Sequence, residues 1–130
     1  MSEGLRAGAV LYSKDMALVA SFYAAILGLT LAEHDEEHVR LESPGFQLVV
    51  RTMPNHIAAR IHIAAPPVRR ADAAVKLVFF VPSIAKVRTA AETHGGLLNG
   101  IEKEWLYNGV KVCDGIDPEG NVLQFREQAV

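Results

Sequence analysis

The side chains of this chain that could do chemistry are few. His34 and His38 stand four apart in "HDEEH" with acids between them, a spacing that on a helix would aim two imidazoles at one zinc ion. The flanks alternate like strands and the acids fall in a turn, so the two rings need not converge, and a solvated hairpin is the stronger reading. His56 and His62 lie in a stretch without periodicity and read as surface or packing groups. His94 precedes two glycines, where an imidazole would face the C-terminal end of a helix dipole. A noncanonical metal site drawing on His34, His38 or His62 stays open. Cys113, the single cysteine, sits in an apolar alternating run with no histidine nearby, the setting of an inert buried thiol. Its neighbour Asp114 would point to the opposite face, and Asp114, Asp117 and Glu119 lack the spacing of a calcium loop. Trp105 and Tyr107 share one face of "EKEWLYN". They offer flat surface to a planar ligand if that face is open, or cover a sheet or subunit contact if it is not.

Length and charge limit what such residues can serve. One domain of 130 residues buries a core without disulfide or metal, and half the residues are hydrophobic. A formal net charge of -2 with no basic stripe argues against a nucleic-acid partner. No apolar run reaches the length of a membrane span and "MSEGLRAG" has no signal-peptide core, so the expectation is a cytoplasmic chain without a membrane partner.

The elements that must position these residues occur twice. "AGAVLYS" (7–13) alternates as a strand, and "DMALVASFYAAILG" follows with Met16, Val19, Ala20, Tyr23, Ile26 and Leu27 at helical spacing, capped by Asp15 and ended by Gly28. "LTLAEH", "HVRLES" and "FQLVVRT" then read as three strands. After a stretch rich in Ala, Pro and Arg (53–74), "VKLVFFV" starts the order again. Ser83 caps a helix with Ile84, Val87, Ala90 and Ala91 inward, Gly95 and Gly96 end it, and "EKEWLY", "GVKVCDGI" and "NVLQFRE" supply three strands. Adding 68 carries Val10 onto Val78, Asp15 onto Ser83 and Gly28 onto Gly96. The organisation is thus one domain over 1–130, with module one at about 5–52, a linker at about 53–74 and module two at about 75–128.

Alternation also sorts side chains by face. If Ala9 and Leu11 pack on the first helix, Gly8, Val10 and Tyr12 take the open side, with Gln47, Val49 and Arg51 from the fourth strand. The second module places Lys76, Val78 and Phe80 there, and the closing strand adds Val122, Gln124 and Arg126. Apolar walls carrying two amides and three cations suit a small-molecule pocket, here Tyr12, Gln47, Arg51, Lys76, Phe80, Trp105, Tyr107, Gln124 and Arg126.

The two halves resemble the βαβββ modules of the vicinal oxygen chelate superfamily, which includes glyoxalase I, extradiol dioxygenases and bleomycin-binding proteins. "VLYSKDMALVASFYAAILGLTL", "VFFVPSIAKVRTAAETHGG" and "DPEGNVLQF" carry the likeness. It implies an α+β fold in which two modules set their open sheet faces around a shared hollow, and a homodimer whose modules pair within or between chains. Metal-using members place His and Glu at positions that fall here on Gly8, Gln47, Lys76 and Gln124. None of these is a His or a carboxylate, a neutral amide is a weak ligand and an ammonium repels a cation. The expectation is no cofactor, and metal-free binding of a small planar or anionic molecule. The alternative is a lyase, isomerase or dioxygenase-type enzyme with a divergent or absent metal site, in which Lys76 in an apolar wall serves as base or amine nucleophile and Tyr12 as proton donor.

Overall fold

The alternating run 7–13 forms strand β1 (Ala7–Ser13) in the computed structural model, which describes residues 4–128. Helix α1 (Met16–Leu27) begins where the Asp15 carboxylate accepts the Leu18 N–H at 3.1 Å, and ends at Gly28, whose φ of 63° is the left-handed conformation glycine adopts without a Cβ penalty. Strands β2 (Thr30–His34), β3 (His38–Ser43) and β4 (Phe46–Thr52) follow. They lie in the order β1-β4-β3-β2, with β4 parallel to β1 and β3 antiparallel to both of its neighbours.

One face of this sheet packs on α1, where Val19, Phe22, Tyr23 and Ile26 bury against Leu41, Leu48 and Val50. Phe22 was absent from the expected inward set and is fully buried, its ring edge-on to Tyr23 at 5.1 Å, while Met16 and Leu27 are only half-buried. The reason is a wide buried arc on a helix whose sole polar residue is Ser21. Full burial of each such side chain contributes about 1.5–3 kcal/mol.

The chain divides into two compact units, Met1–His62 and Ile63–Val130. The stretch read as linker holds a short helix, α2 (Asn55–Ala58), in which the Pro54 carbonyl accepts the Ile57 and Ala58 N–H groups at 2.9 Å.

The second unit repeats the order with departures. Strand β5 (Leu77–Val81) begins after Lys76 rather than including it. Helix α3 (Ile84–Thr93) is capped by Ser83, which accepts from Lys86 N at 3.2 Å, while Glu127 accepts from Ile84 N at 2.6 Å. Both oxygens satisfy amides that no helical carbonyl can reach. At its other end Gly95 turns left-handed and Gly96 N donates to Ala91 O at 2.9 Å, the six-to-one closure of a Schellman cap. Ala90, expected inward, is half-buried.

The segment "EKEWLY" is a strand only in its second half. Residues Ile101–Lys103 form a 3-10 turn between a two-residue strand β6 (Leu97–Leu98), which the alternation did not signal, and β7 (Trp105–Tyr107). Both pair with β8 (Val110–Ile116), so the edge is interrupted by an excursion. Arg88 holds that excursion from α3, donating to Asn99 O at 3.1 Å and to the Glu104 carboxylate. The closing strand β9 (Val122–Gln128) lies between β5 and β8, giving the order β5-β9-β8-β6 with β7 also on β8.

The turn before β9 is built on Asp117, whose carboxylate accepts from Glu119 N at 2.8 Å, Asn121 N at 3.1 Å and Asn121 Nδ2 at 2.8 Å. Residues 68–70 lie across this turn, with Arg70 N donating to Gly120 O at 2.9 Å and Arg70 Nε to Glu119 O at 3.1 Å. Gly120 has φ 84°, and an added Cβ would collide with the Val68 carbonyl oxygen. Among the described residues no helix is long and apolar enough to cross a membrane.

Candidate functional site

Register decides which chemistry-bearing residues of the second unit meet. In its ladders Gln124 stands opposite Val78 and Asp114, and Arg126 opposite Phe80 and Val112. Directly opposed residues point to the same side of a sheet, so these six share the face away from α3. Trp105 stands opposite Val112 and Tyr107 opposite Val110, which puts both rings on that face as well. The β7–β8 pairing thus fixes which side of the sheet the two rings take. Phe80 is 72% exposed, Tyr107 54% and Trp105 42%.

A chain of polar contacts crosses this face. Asp114 Oδ2 accepts from Lys76 Nζ at 2.9 Å and has Arg69 Nη2 at 4.0 Å. Asp114 Oδ1 accepts from Gln124 Nε2 at 3.0 Å, and Gln124 Oε1 accepts from Arg126 Nε at 2.9 Å. The Arg126 guanidinium carbon lies over the Phe80 ring, 5.8 Å from its centroid, and over the Tyr107 ring at 5.4 Å. Gln124 is only 8% exposed, and both ends of its amide are engaged. Lys76 was expected in an apolar wall, as a base or amine nucleophile. Instead it is the partner of a carboxylate, because the side chain of Asp114, one residue beyond Cys113, reaches it across the sheet.

The open face of the first unit carries Gly8, Tyr12, Gln47 and Arg51, with Gly8 opposite Gln47 and Tyr12 opposite Arg51. Gln47 Nε2 donates to Glu42 Oε2 at 2.7 Å. Tyr12 and Arg51 border a cavity of about 320 Å³ with Glu37, Thr52, Met53 and Pro54, and Arg51 Nη2 lies 3.7 Å from Glu37. Glu42 and Glu37 were not among the expected site residues. They fall in an acidic turn and a strand whose face alone does not say which neighbour they reach.

The histidines of "HDEEH" diverge. His34 stands opposite Val39 on the α1 side of the sheet, and His38 stands opposite Arg51 on the other. His38 Nε2 meets Glu33 Oε1 at 2.7 Å and its Nδ1 meets Asp35 Oδ1 at 3.0 Å. The hydrogen bond that His38 donates to Glu33, reinforced by the Asp35 charge, raises the His38 pKa above the usual imidazole value. Glu33 is lowered chiefly by the same hydrogen bond, and Asp35 chiefly by the Glu37 backbone N–H. His62 is exposed.

Cys113 is fully buried against α3, its thiol near Asn99 O at 3.4 Å and Arg88 Nη2 at 3.5 Å. Burial pushes its pKa up, outweighing the nearby guanidinium, so the thiolate a nucleophile needs is disfavoured.

The residues at the metal positions implied by the resemblance do not fit a divalent cation. Gly8 has no side chain, and an added Cβ would stand 3.0 Å from Gln47 O. Gln47 and Gln124 point amide nitrogens at carboxylates, the Gln124 oxygen is taken by Arg126, and Lys76 is a cation. Among the described residues no group of three or more His, Cys, Asp or Glu is arranged to hold a metal ion.

No family model matches the chain, and neither does any curated protein. Solved structures do. A glyoxalase/bleomycin resistance protein from Albidiferax ferrireducens T118 superposes with a TM-score of 0.65 at 17% identity, covering 95% of this chain and 98% of that one. A glyoxalase/bleomycin resistance protein/dioxygenase family enzyme from Burkholderia phytofirmans PsJN gives 0.68 at 14% identity, covering 92% and 95%. A bleomycin resistance determinant encoded on the transposon Tn5 gives 0.62 at 16% identity, covering 96% and 98%. At such identities the likeness is one of fold, and it extends over nearly the whole length of each chain.

Proposed function

We propose that this chain, with the fold of the glyoxalase/bleomycin-resistance proteins, binds a small planar anion without a metal, on the open sheet face of its second unit. The observation that carries the reading is Arg126. Among the described residues its guanidinium makes one hydrogen bond, through Nε to Gln124, and it lies over two exposed rings. A guanidinium presents five N–H donors in a rigid fork, so the Nη groups are left to grip a carboxylate while Trp105 and Tyr107 offer flat apolar surface beside it. Arg69 and Lys76 set two further cations around the Asp114 carboxylate on this face. The four family metal positions, occupied by donors unsuited to a divalent ion, support the metal-free part.

A thermal-shift titration tests this with 2-naphthoate and its neutral counterpart 2-naphthalenemethanol. A ligand at a hundred times its Kd adds about 2.7 kcal/mol of stability, a rise of several degrees in Tm for a domain of this size. The carboxylate is expected to produce that rise and the alcohol is not, and Arg126→Ala is expected to abolish it. Equal stabilisation by both compounds would remove the anion from the reading. A strong rise with Zn²⁺ or Mn²⁺ alone would remove its metal-free character.

A further inference from the structure

Through its carboxylate Asp114 meets three other side chains of this face, Lys76, Gln124 and Arg69. Its side chain is 14% exposed, one oxygen bound to Lys76 and the other to Gln124. The second contact fixes the direction of the Gln124 amide, because a carboxylate accepts only from the nitrogen end. The oxygen end must then face Arg126, where it takes Nε. Arg126 is left with Nη1 and Nη2, so an incoming anion meets the guanidinium end-on rather than along its Nε edge. The first contact satisfies the Lys76 ammonium with an internal carboxylate.

We infer that Asp114 is a specificity-determining residue, which by holding Lys76 and Arg69 and orienting Gln124 restricts the anion site to a monocarboxylate held end-on by Arg126 and disfavours dianions such as phosphomonoesters. This rests on the ligand-binding reading above, and deepens it by assigning the charge and approach of the ligand. A dianion would need a second free cation within reach. Lys76 and Arg69 both lie at Asp114 Oδ2, at 2.9 and 4.0 Å, and they are released only if Asp114 loses its charge. Asparagine at 114 keeps an oxygen for Gln124 but turns an amide toward Lys76, so this one change separates the two contacts.

Isothermal titration calorimetry with 2-naphthoate and 2-naphthyl phosphate reads the effect. The wild-type chain is expected to prefer the carboxylate. Asp114→Asn is expected to shift the ratio of the two Kd values toward the phosphate by roughly tenfold or more, the worth of one charge-assisted hydrogen bond. Adding Lys76→Met and Arg69→Met to Asp114→Asn is expected to restore the preference for the carboxylate, which a purely structural role for Asp114 would not do. A ratio unchanged in Asp114→Asn overturns the inference and leaves the ligand-binding reading intact. If the wild-type chain binds neither probe, that reading falls and this inference with it. A measurement on the wild-type chain alone guards against a variant that fails to fold. In ¹⁵N-resolved NMR, 2-naphthoate should move the Arg126 Nη–H signals and leave Nε–H in place, and an Nε–H shift of equal size contradicts the end-on geometry.

Discussion

His38 carries a pH dependence that its position alone explains. Its imidazolium is held by Glu33 and Asp35 and its pKa is raised, so the stability it contributes is fully present below its unfolded value of about 6.5 and is lost as pH rises through the higher folded value. Glu33 and Asp35 are lowered, so their share is present above their unfolded values, near about 4, and lost as pH falls through the folded ones. The cluster therefore contributes most between about pH 4 and 6.5. The Tm difference between the wild-type chain and His38→Gln should be larger at pH 6 than at pH 9, and larger at low than at high salt because Glu33 and Asp35 are exposed. A difference independent of pH would show that the imidazolium is not held in this way. Lys76 teaches the complementary lesson. Its face follows from a two-residue period, but its chemistry follows from Asp114, thirty-eight residues away.

At the scale of elements, the turn from Asp117 to Asn121 is the most constrained local structure. Gly120 answers two demands at once: a left-handed φ of 84°, and the close passage of residues 68–70. Gly120→Ala should lower stability by well over about 1 kcal/mol in a urea melt, since it combines an unfavourable backbone conformation with a steric clash. Gly28→Ala also meets a positive φ but open space, and should cost less, about 1 kcal/mol. Equal losses at the two glycines would mean that the strap over the turn adds nothing. The turn itself was readable from "DPEGN", because Asp, Pro, Gly and Asn each have a local reason to be there. The strap was not, because residues 68–70 show no period and their place is set by a turn fifty residues on. The same holds for the excursion between β6 and β7, held by Arg88 of α3, where a continuous strand was expected.

For the molecule as a whole, each sheet is closed by its most distant pairing. β1 joins β4 with Ala7 opposite Phe46, and β5 joins β9 with Leu77 opposite Leu123. Such parallel pairings require the intervening helix and strands to be in place before any hydrogen bond repays the closure entropy. Refolding from urea should accordingly be slow for a chain this short, with a main phase of milliseconds to seconds in stopped-flow fluorescence of Trp105. A main phase complete within microseconds would contradict dominance by these long-range pairs.

What could be decided locally was decided by the order of residues. Strand and helix periods, the Asp15 and Ser83 caps and the glycine stops specify a strand, a helix and further strands twice over, and alternation assigns Lys76, Phe80, Gln124 and Arg126 to one side of a sheet. Tertiary structure alone decided what those side chains meet: that Trp105 and Tyr107 join them, that Asp114 neutralises Lys76 and turns Gln124, and that Gln124 occupies one edge of Arg126. The physical reason is that face is a property of one strand, whereas a partner is a property of register between strands, and register is settled by burial of Leu123, Phe125 and Cys113 on the opposite side.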